Sequence, residues 1–175
     1  MRILVVGAGA LGGFVGAGLT RAGEDVTLIT ENPAQASLLN EAGLSITRVG
    51  QDEVTVPVHV VTSAEGLAPF DLVFIAVKTY QTEEALQPVL QATHDRTLFL
   101  TMQNGFGNAE CISALVGAER VLCGITYHSI QHTGPNRIHF RAGTKPIQIA
   151  PHAGKITPEI EAIGKLLTGA GLPTD

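Results

Sequence analysis

Three short stretches of this 175-residue chain offer bare backbone or polar side chains placed where chemistry could happen. The first, Gly7-Ala8-Gly9-Ala10-Leu11-Gly12, has the pattern G-x-G-x-x-G directly after the aliphatic run Ile3 to Val6 and before residues at helical spacing. Glycine at these offsets suits one task. The first permits a tight turn, the second lets a diphosphate approach the backbone, and the third lets the helix pack on the strand while its N-terminal N–H groups face the anion. Glycine-rich packing turns can produce the same string, and with 20 glycines in the chain the string alone is weak. Its place within a β-α-β unit makes it an expected dinucleotide site, with Gly7, Ala8, Gly9, Ala10, Leu11 and Gly12 as the cradle.

Glu31 follows Gly12 by nineteen positions, just past the second strand. A carboxylate there would accept hydrogen bonds from the adenosine ribose hydroxyls, favouring NAD and repelling the 2′-phosphate of NADP. An ordinary exposed Glu beside a turn, or a charge helping to start the helix at Pro33, explains it equally well. The other two stretches, Val77-Lys78-Thr79-Tyr80-Gln81 and Gln103-Asn104-Gly105-Phe106-Gly107, put an ammonium and a carboxamide directly after apolar strands. In open α/β sheets ligands bind beyond the carboxyl ends of the strands. Composition alone favours a surface lysine and a turn asparagine.

The elements that position these residues read clearly. Leu11, Phe14, Val15 and Leu19 recur at helical spacing up to Gly23; Asp25 to Thr30 is a second strand; Pro33 to Glu41 is a helix closed near Gly43. From Leu44 to Val61 the period becomes two, predicting a hairpin with Pro57 on an edge. Leu72 to Val77 and Thr97 to Thr101 are apolar strands, each followed by a helix, over Gln81 to Ala92 and Gly107 to Leu115. Apolar strands alternating with amphipathic helices predict a doubly wound α/β fold of Rossmann type, with a parallel sheet covered on both faces. From Val121 strands return, with a turn at Thr133-Gly134-Pro135-Asn136 and a strand at Ile147 to Ala150. A last helix carries Ile156, Ile160, Ile163 and Leu167. No repeat or long linker divides the chain, so residues 1–175 are expected to form a single domain.

Composition narrows the function classes. The chain is 45% hydrophobic, which excludes disorder, and 11 Lys+Arg against 16 Asp+Glu give a net charge of −5. No basic field is available for nucleic acid or an anionic membrane. Ile3 to Leu19 is uncharged and follows Arg2, as in a signal peptide, yet six glycines interrupt it, so a strand, turn and helix fit better and a cytoplasmic location is expected. Cys111 and Cys123 are expected to be reduced core thiols. His128, His132 and His139 have neither the spacing nor the acidic companions of a metal site and are expected on the surface or in a hairpin. Thr126 is a weaker candidate contact.

Taken together, Gly7-x-Gly9-Ala10-x-Gly12, Val77-Lys78-x-x-Gln81 and Gln103-Asn104-Gly105-x-Gly107 resemble the ketopantoate reductase (2-dehydropantoate 2-reductase) family, as do Gly124-Ile125-Thr126 and the turn at Thr133 to Asn136. The likeness covers essentially the whole chain. It implies reduction of ketopantoate to (R)-pantoate with NADPH, in pantothenate synthesis. It further implies roles for Lys78 and Asn104 at the nicotinamide and substrate, and for Gln81 as a lesser cofactor contact. A cation and an amide aimed at a ketone oxygen would stabilise the charge that hydride attack builds there.

Two departures stand out. Family members often have an arginine near Glu31 to accept the 2′-phosphate, so NAD is the alternative to NADP. The family also has a C-terminal helical domain bearing a lysine general acid. Neither Lys155 nor Lys165 matches that lysine, so a cofactor-binding domain without a finished active site is expected, with an apolar face that favours self-association. A reductase of another 2-oxo acid and a non-catalytic NAD(P)-binding module are the alternatives.

Overall fold

A computed structural model describes residues 1–175 except 142 and 144. The chain runs β1 (Arg2–Val6), α1 (Ala10–Arg21), β2 (Asp25–Ile29), α2 (Pro33–Ala42), β3 (Leu44–Arg48), β4 (Val54–Val56), β5 (His59–Val61) and β6 (Phe70–Ile75). It continues through α3 (Thr82–Leu86), β7 (Thr93–Thr101), α4 (Asn108–Val116), β8 (Val121–Ile125), β9 (Ser129–Gly134), β10 (Arg137–Arg141), β11 (Gln148–Pro151) and α5 (Pro158–Gly169).

Seven strands form one sheet in the order β11-β8-β7-β6-β1-β2-β5. From β5 to β8 all neighbours are parallel, and β11 closes the far side antiparallel to β8. Side chains alternate across the pleat, so Ile3 and Val5 enter one core and Leu4 and Val6 the other. Both faces are therefore covered, by α1, α2 and α5 on one side and α3 and α4 on the other. The chain builds outward from β1 to β2 and β5, then returns to place β6 on the other flank of β1. That reversal is the switch point of a doubly wound sheet, where ligands bind.

A second sheet of four strands, β4-β3-β10-β9, lies over α1. Phe14 of α1 stacks on Phe140 of β10, ring centroids 4.4 Å apart. Gly13 lies against Leu44 and Ile138, and Gly16 against Leu28 of the main sheet. Every residue of α1 from Gly12 to Leu19 is buried, as expected of a helix that is apolar or small on all sides.

The alternating stretch from Leu44 to Val61 does more than the predicted hairpin. Residues 44–48 and 54–56 pair antiparallel as expected, but after Pro57 the chain leaves the small sheet and β5 joins the main sheet parallel to β2. Pro57 thus links two edge strands, where its missing N–H costs no ladder bond. The outward groups of β5 are covered: Asn40 of α2 donates to Val60 O at 2.8 Å and accepts from Val60 N–H at 2.9 Å.

The helix expected over Gln81 to Ala92 is broken into α3 and a 3-10 segment, Gln87–Ala92, because Pro88 has no N–H to continue the α ladder. Ile156 precedes α5 and is exposed, whereas Ile160, Ile163 and Leu167 are buried. Cys111 and Cys123 are free and half-buried rather than core thiols.

Truncating the stacked ring tests the docking of the small sheet. Phe140→Ala is expected to cost about 3–5 kcal/mol in denaturant unfolding; a loss under about 1 kcal/mol would mean that this contact does not hold the layer.

Candidate functional site

A cleft of about 880 Å³ opens along the carboxyl ends of the parallel strands. Gly7, Ala8, Gly9, Ala10 and Leu11 line it after β1, Glu31 after β2, Lys78 and Gln81 after β6, and Asn104 after β7. Nine of the ten residues singled out from sequence therefore share one cavity. Gly12 does not line it. A Cβ there would collide with Gly7 O and sit 2.9 Å from Ala76 Cβ, so this glycine acts from behind the wall by letting α1 seat against the end of β1.

The loop is built for close approach. Gly7 has φ of +104°, a conformation that L side chains rarely adopt, and so turns the chain sharply out of β1. Gly9 is the N-cap of α1 and has no side chain to cap the first turn. A Cβ added to Gly9 would meet nothing within 4 Å, so the space above the helix N-terminus is open. The helix dipole and uncapped N–H groups favour an anion there.

Polar side chains outside the motif hold the loop. Gly7 N–H donates to Ile29 O at 2.9 Å. Gln35 donates to Ala8 O at 3.0 Å while its own oxygen accepts from Thr30 Oγ1 at 2.7 Å, tying α2 to the glycine turn. Asn32 accepts from the N–H groups of Ala34 and Gln35 and fixes the start of that helix. Sequence reasoning passed over Gln35; the available signal was an amide placed one turn into a helix that follows the ribose-side strand.

The opposite side of the cleft is held by Gln103, which donates to Val77 O at 2.7 Å and to Thr82 Oγ1 at 2.9 Å. Thr79 Oγ1 donates to Asn104 O at 3.0 Å, and Asn108 Nδ2 reaches the Asn104 and Gly105 carbonyls at 3.3 Å. These bonds join the loops carrying Lys78 and Asn104. Both residues are exposed, and among the described residues Lys78 makes no salt bridge.

Thr126, His128 and His132 also line the cleft, beyond β8. This places Thr126 at the candidate site. His132 is exposed in the β9–β10 hairpin, as expected, and also borders the cleft, whereas His128, half-buried ahead of β9, moves from the expected role to the cleft wall. His128 Nδ1 lies 3.0 Å from Thr126 Oγ1, and its ring stacks on Phe140. Partial burial, then the charge of Arg48, pull the His128 pKa below its ordinary value, so the imidazole is neutral at neutral pH. Among the described residues no three His, Cys, Asp or Glu side chains gather as a metal site, and no helix is long and apolar enough to cross a membrane. In the loops that carry Lys78 and Asn104, Tyr80 and Phe106 are 85% and 100% exposed.

The two glycines predict opposite failures. Gly12→Ala is expected to lower stability by about 1–3 kcal/mol through overpacking. Gly9→Val is expected to leave the melting temperature unchanged and abolish dinucleotide binding. Equal melting temperatures for the two variants would contradict the placement of Gly12.

Comparison with known proteins identifies the family. The profile of the ketopantoate reductase PanE/ApbA family matches residues 3–154. A 2-dehydropantoate 2-reductase of Aquifex aeolicus is 32% identical over 99% of this chain and 54% of its own length. The crystal structure of a 2-dehydropantoate 2-reductase from Geobacter metallireducens superposes with a TM-score of 0.89 at 30% identity, over 99% of this chain and 57% of that one. A D-mandelate dehydrogenase solved with NADH and anilino(oxo)acetate also gives 0.89, at 25% identity, over 100% and 56%. The chain spans about half the length of the curated relatives it matches. From this match over most of its length, the chain belongs to the ketopantoate reductase PanE/ApbA family.

Proposed function

We propose that residues 1–175 form one NAD(P)H-binding unit of a 2-dehydropantoate 2-reductase, the enzyme that reduces the 2-oxo group of ketopantoate to (R)-pantoate in pantothenate synthesis. The observation that carries this reading is a single cleft joining open backbone at Gly9 to the Lys78 ammonium and the Asn104 carboxamide. A module that only binds the dinucleotide has no use for a cation and an amide there. The curated relatives of 32–34% identity named 2-dehydropantoate 2-reductase favour ketopantoate over another 2-oxo acid.

When bound, the nicotinamide cofactor supplies a hydride. The residues of this chain do the rest of what is proposed here. Gly7 to Leu11 receive the diphosphate, with Gly12 holding the helix behind them, and Gln81 contacts the cofactor. Lys78 and Asn104 offer a positive charge and an N–H donor to a ketone oxygen that becomes negative, so they favour the transition state over the ground state. The joined loops keep that pair preorganised. Tyr80 and Phe106, in the same two loops, leave large apolar side chains exposed.

Within this reading the cofactor is NADH. Glu31 lines the cleft beyond β2, and Lys78, after β6, is the sole Lys or Arg among the described lining residues, so the described lining offers no guanidinium to a 2′-phosphate. A carboxylate there accepts ribose hydroxyls and repels the extra phosphate.

Fluorescence titration of the 175-residue chain is expected to show tighter binding of NADH than of NADPH, and Glu31→Arg to reverse the ratio by about tenfold or more. An unchanged ratio removes Glu31 from the site, and no binding of either nucleotide overturns the proposal. Ketopantoate is expected to oxidise NADH bound to this chain only negligibly in a single turnover. Lys78 is committed to charge stabilisation, and no second ammonium lines the cleft among the described residues. Rapid loss of NADH absorbance would contradict that division of roles.

A further inference from the structure

The far end of α1 carries a second cavity, of about 290 Å³, lined by Gly18, Arg21 and Ala22 of that helix, Arg48 and Gln51 at the end of β3, and Gly169 to Gly171 at the end of α5. Twelve helical residues, about 18 Å of rise, separate it from the glycine loop. In a chain of net charge −5 its wall holds two guanidiniums and a carboxamide and no carboxylate.

The two arginines lack the protein partners that Arg2, Arg120 and Arg137 have. Arg2 pairs with Asp25, Arg137 with Glu53, and Arg120 donates to the carbonyls of Thr97 and His94. Among the described residues neither Arg21 nor Arg48 forms a salt bridge, and neither side chain donates a hydrogen bond to protein. The position of Arg21 in the last turn of α1 is explained by the helix dipole. Arg48 is held by aromatic rings instead of an acidic partner. It is half-buried, with its guanidinium carbon 5.0 Å from the Phe14 ring centroid and 4.8 Å from that of Phe140, so the rings fix the group in place. Gly171, at φ of +83°, makes room for it: a Cβ there would lie 3.1 Å from Arg48 Nη2. Burial and then the charge of Arg21 pull the Arg48 pKa below its ordinary value, as an unneutralised like-charge pair should.

We propose that this cavity binds a phosphate group, free or carried by a small metabolite, between the forks of Arg21 and Arg48. Two guanidiniums present donors enough for the several oxygens of a tetrahedral dianion, whereas a carboxylate is satisfied by one fork. The volume is about a third of that of the main cleft, which suits a phosphate group rather than a dinucleotide. An acidic side chain of another protein is the rival occupant, and a carboxylate probe separates the two.

The test is a ¹H–¹⁵N NMR titration of the 175-residue chain with inorganic phosphate at constant ionic strength, with acetate as the second arm. Phosphate is expected to shift the Ala22, Gln51 and Gly171 amides saturably, and acetate to act on them at least about tenfold more weakly. Arg21→Gln, a change at an exposed position, is expected to weaken the phosphate effect at these amides about tenfold while leaving shifts at Gly7 to Gly12 and NADH affinity unchanged. Arg48→Lys, which keeps the charge and loses the fork, should behave likewise. Phosphate shifts confined to Gly7 to Gly12, an unaltered response in Arg21→Gln, or acetate matching phosphate would each overturn the proposal. All of these outcomes can be read whether or not NADH binds.

Discussion

A helix enclosed between two sheets is the constraint on which the rest of this structure depends. The main sheet and the four-stranded sheet both press on α1, and the small residues Gly12, Gly13 and Gly16 let them approach. Enclosure on this scale leaves α1 little freedom to tilt, so its uncapped N-terminus stays aimed at the cleft. The glycines that look like a phosphate motif at Gly7 and Gly9 continue into glycines that pack. One glycine-rich segment thus serves ligand approach at its start and interlayer contact along its length.

The other side of the cleft is organised differently, by amides rather than by packing. Gln103 fixes the carbonyl just before Lys78, and Thr79 fixes that of Asn104, so the two loops hold each other. Their backbones are constrained while the Lys78 and Asn104 side chains remain exposed. Lys78 has no acidic partner among the described residues, so its side chain is available to whatever enters. The neutral imidazole of His128 adds a polar wall without a competing cation.

Much of this was legible in the sequence because it rests on local patterns. Apolar runs such as Leu72 to Val77 announce strands covered on both faces, and the polar residues after them fall at one edge of a parallel sheet. That logic brought Glu31, Lys78 and Asn104 near the glycine loop, while Gln81 and the roles of Lys78 and Asn104 came from the family resemblance. What could not be read was nonlocal. The alternation through Val54 to Val60 is continuous, yet its halves belong to different sheets, because period two reports exposure on a face and not which sheet supplies the neighbour. Gln35, Gln103 and His128 were missed for a related reason: their partners lie far off in sequence or in a layer that patterning does not predict. Pro88 was visible, and its break of the helix follows from local chemistry that periodicity had masked.

The short strand β5 has a consequence for behaviour in crowded solution. In a three-residue strand paired parallel on one flank, the middle residue alone turns its amide and carbonyl outward. At Val60 both are occupied by the Asn40 carboxamide, so that border of the sheet offers no template on which a foreign strand could grow. One asparagine on a neighbouring helix thereby closes that border to fibril-like stacking without adding a further strand.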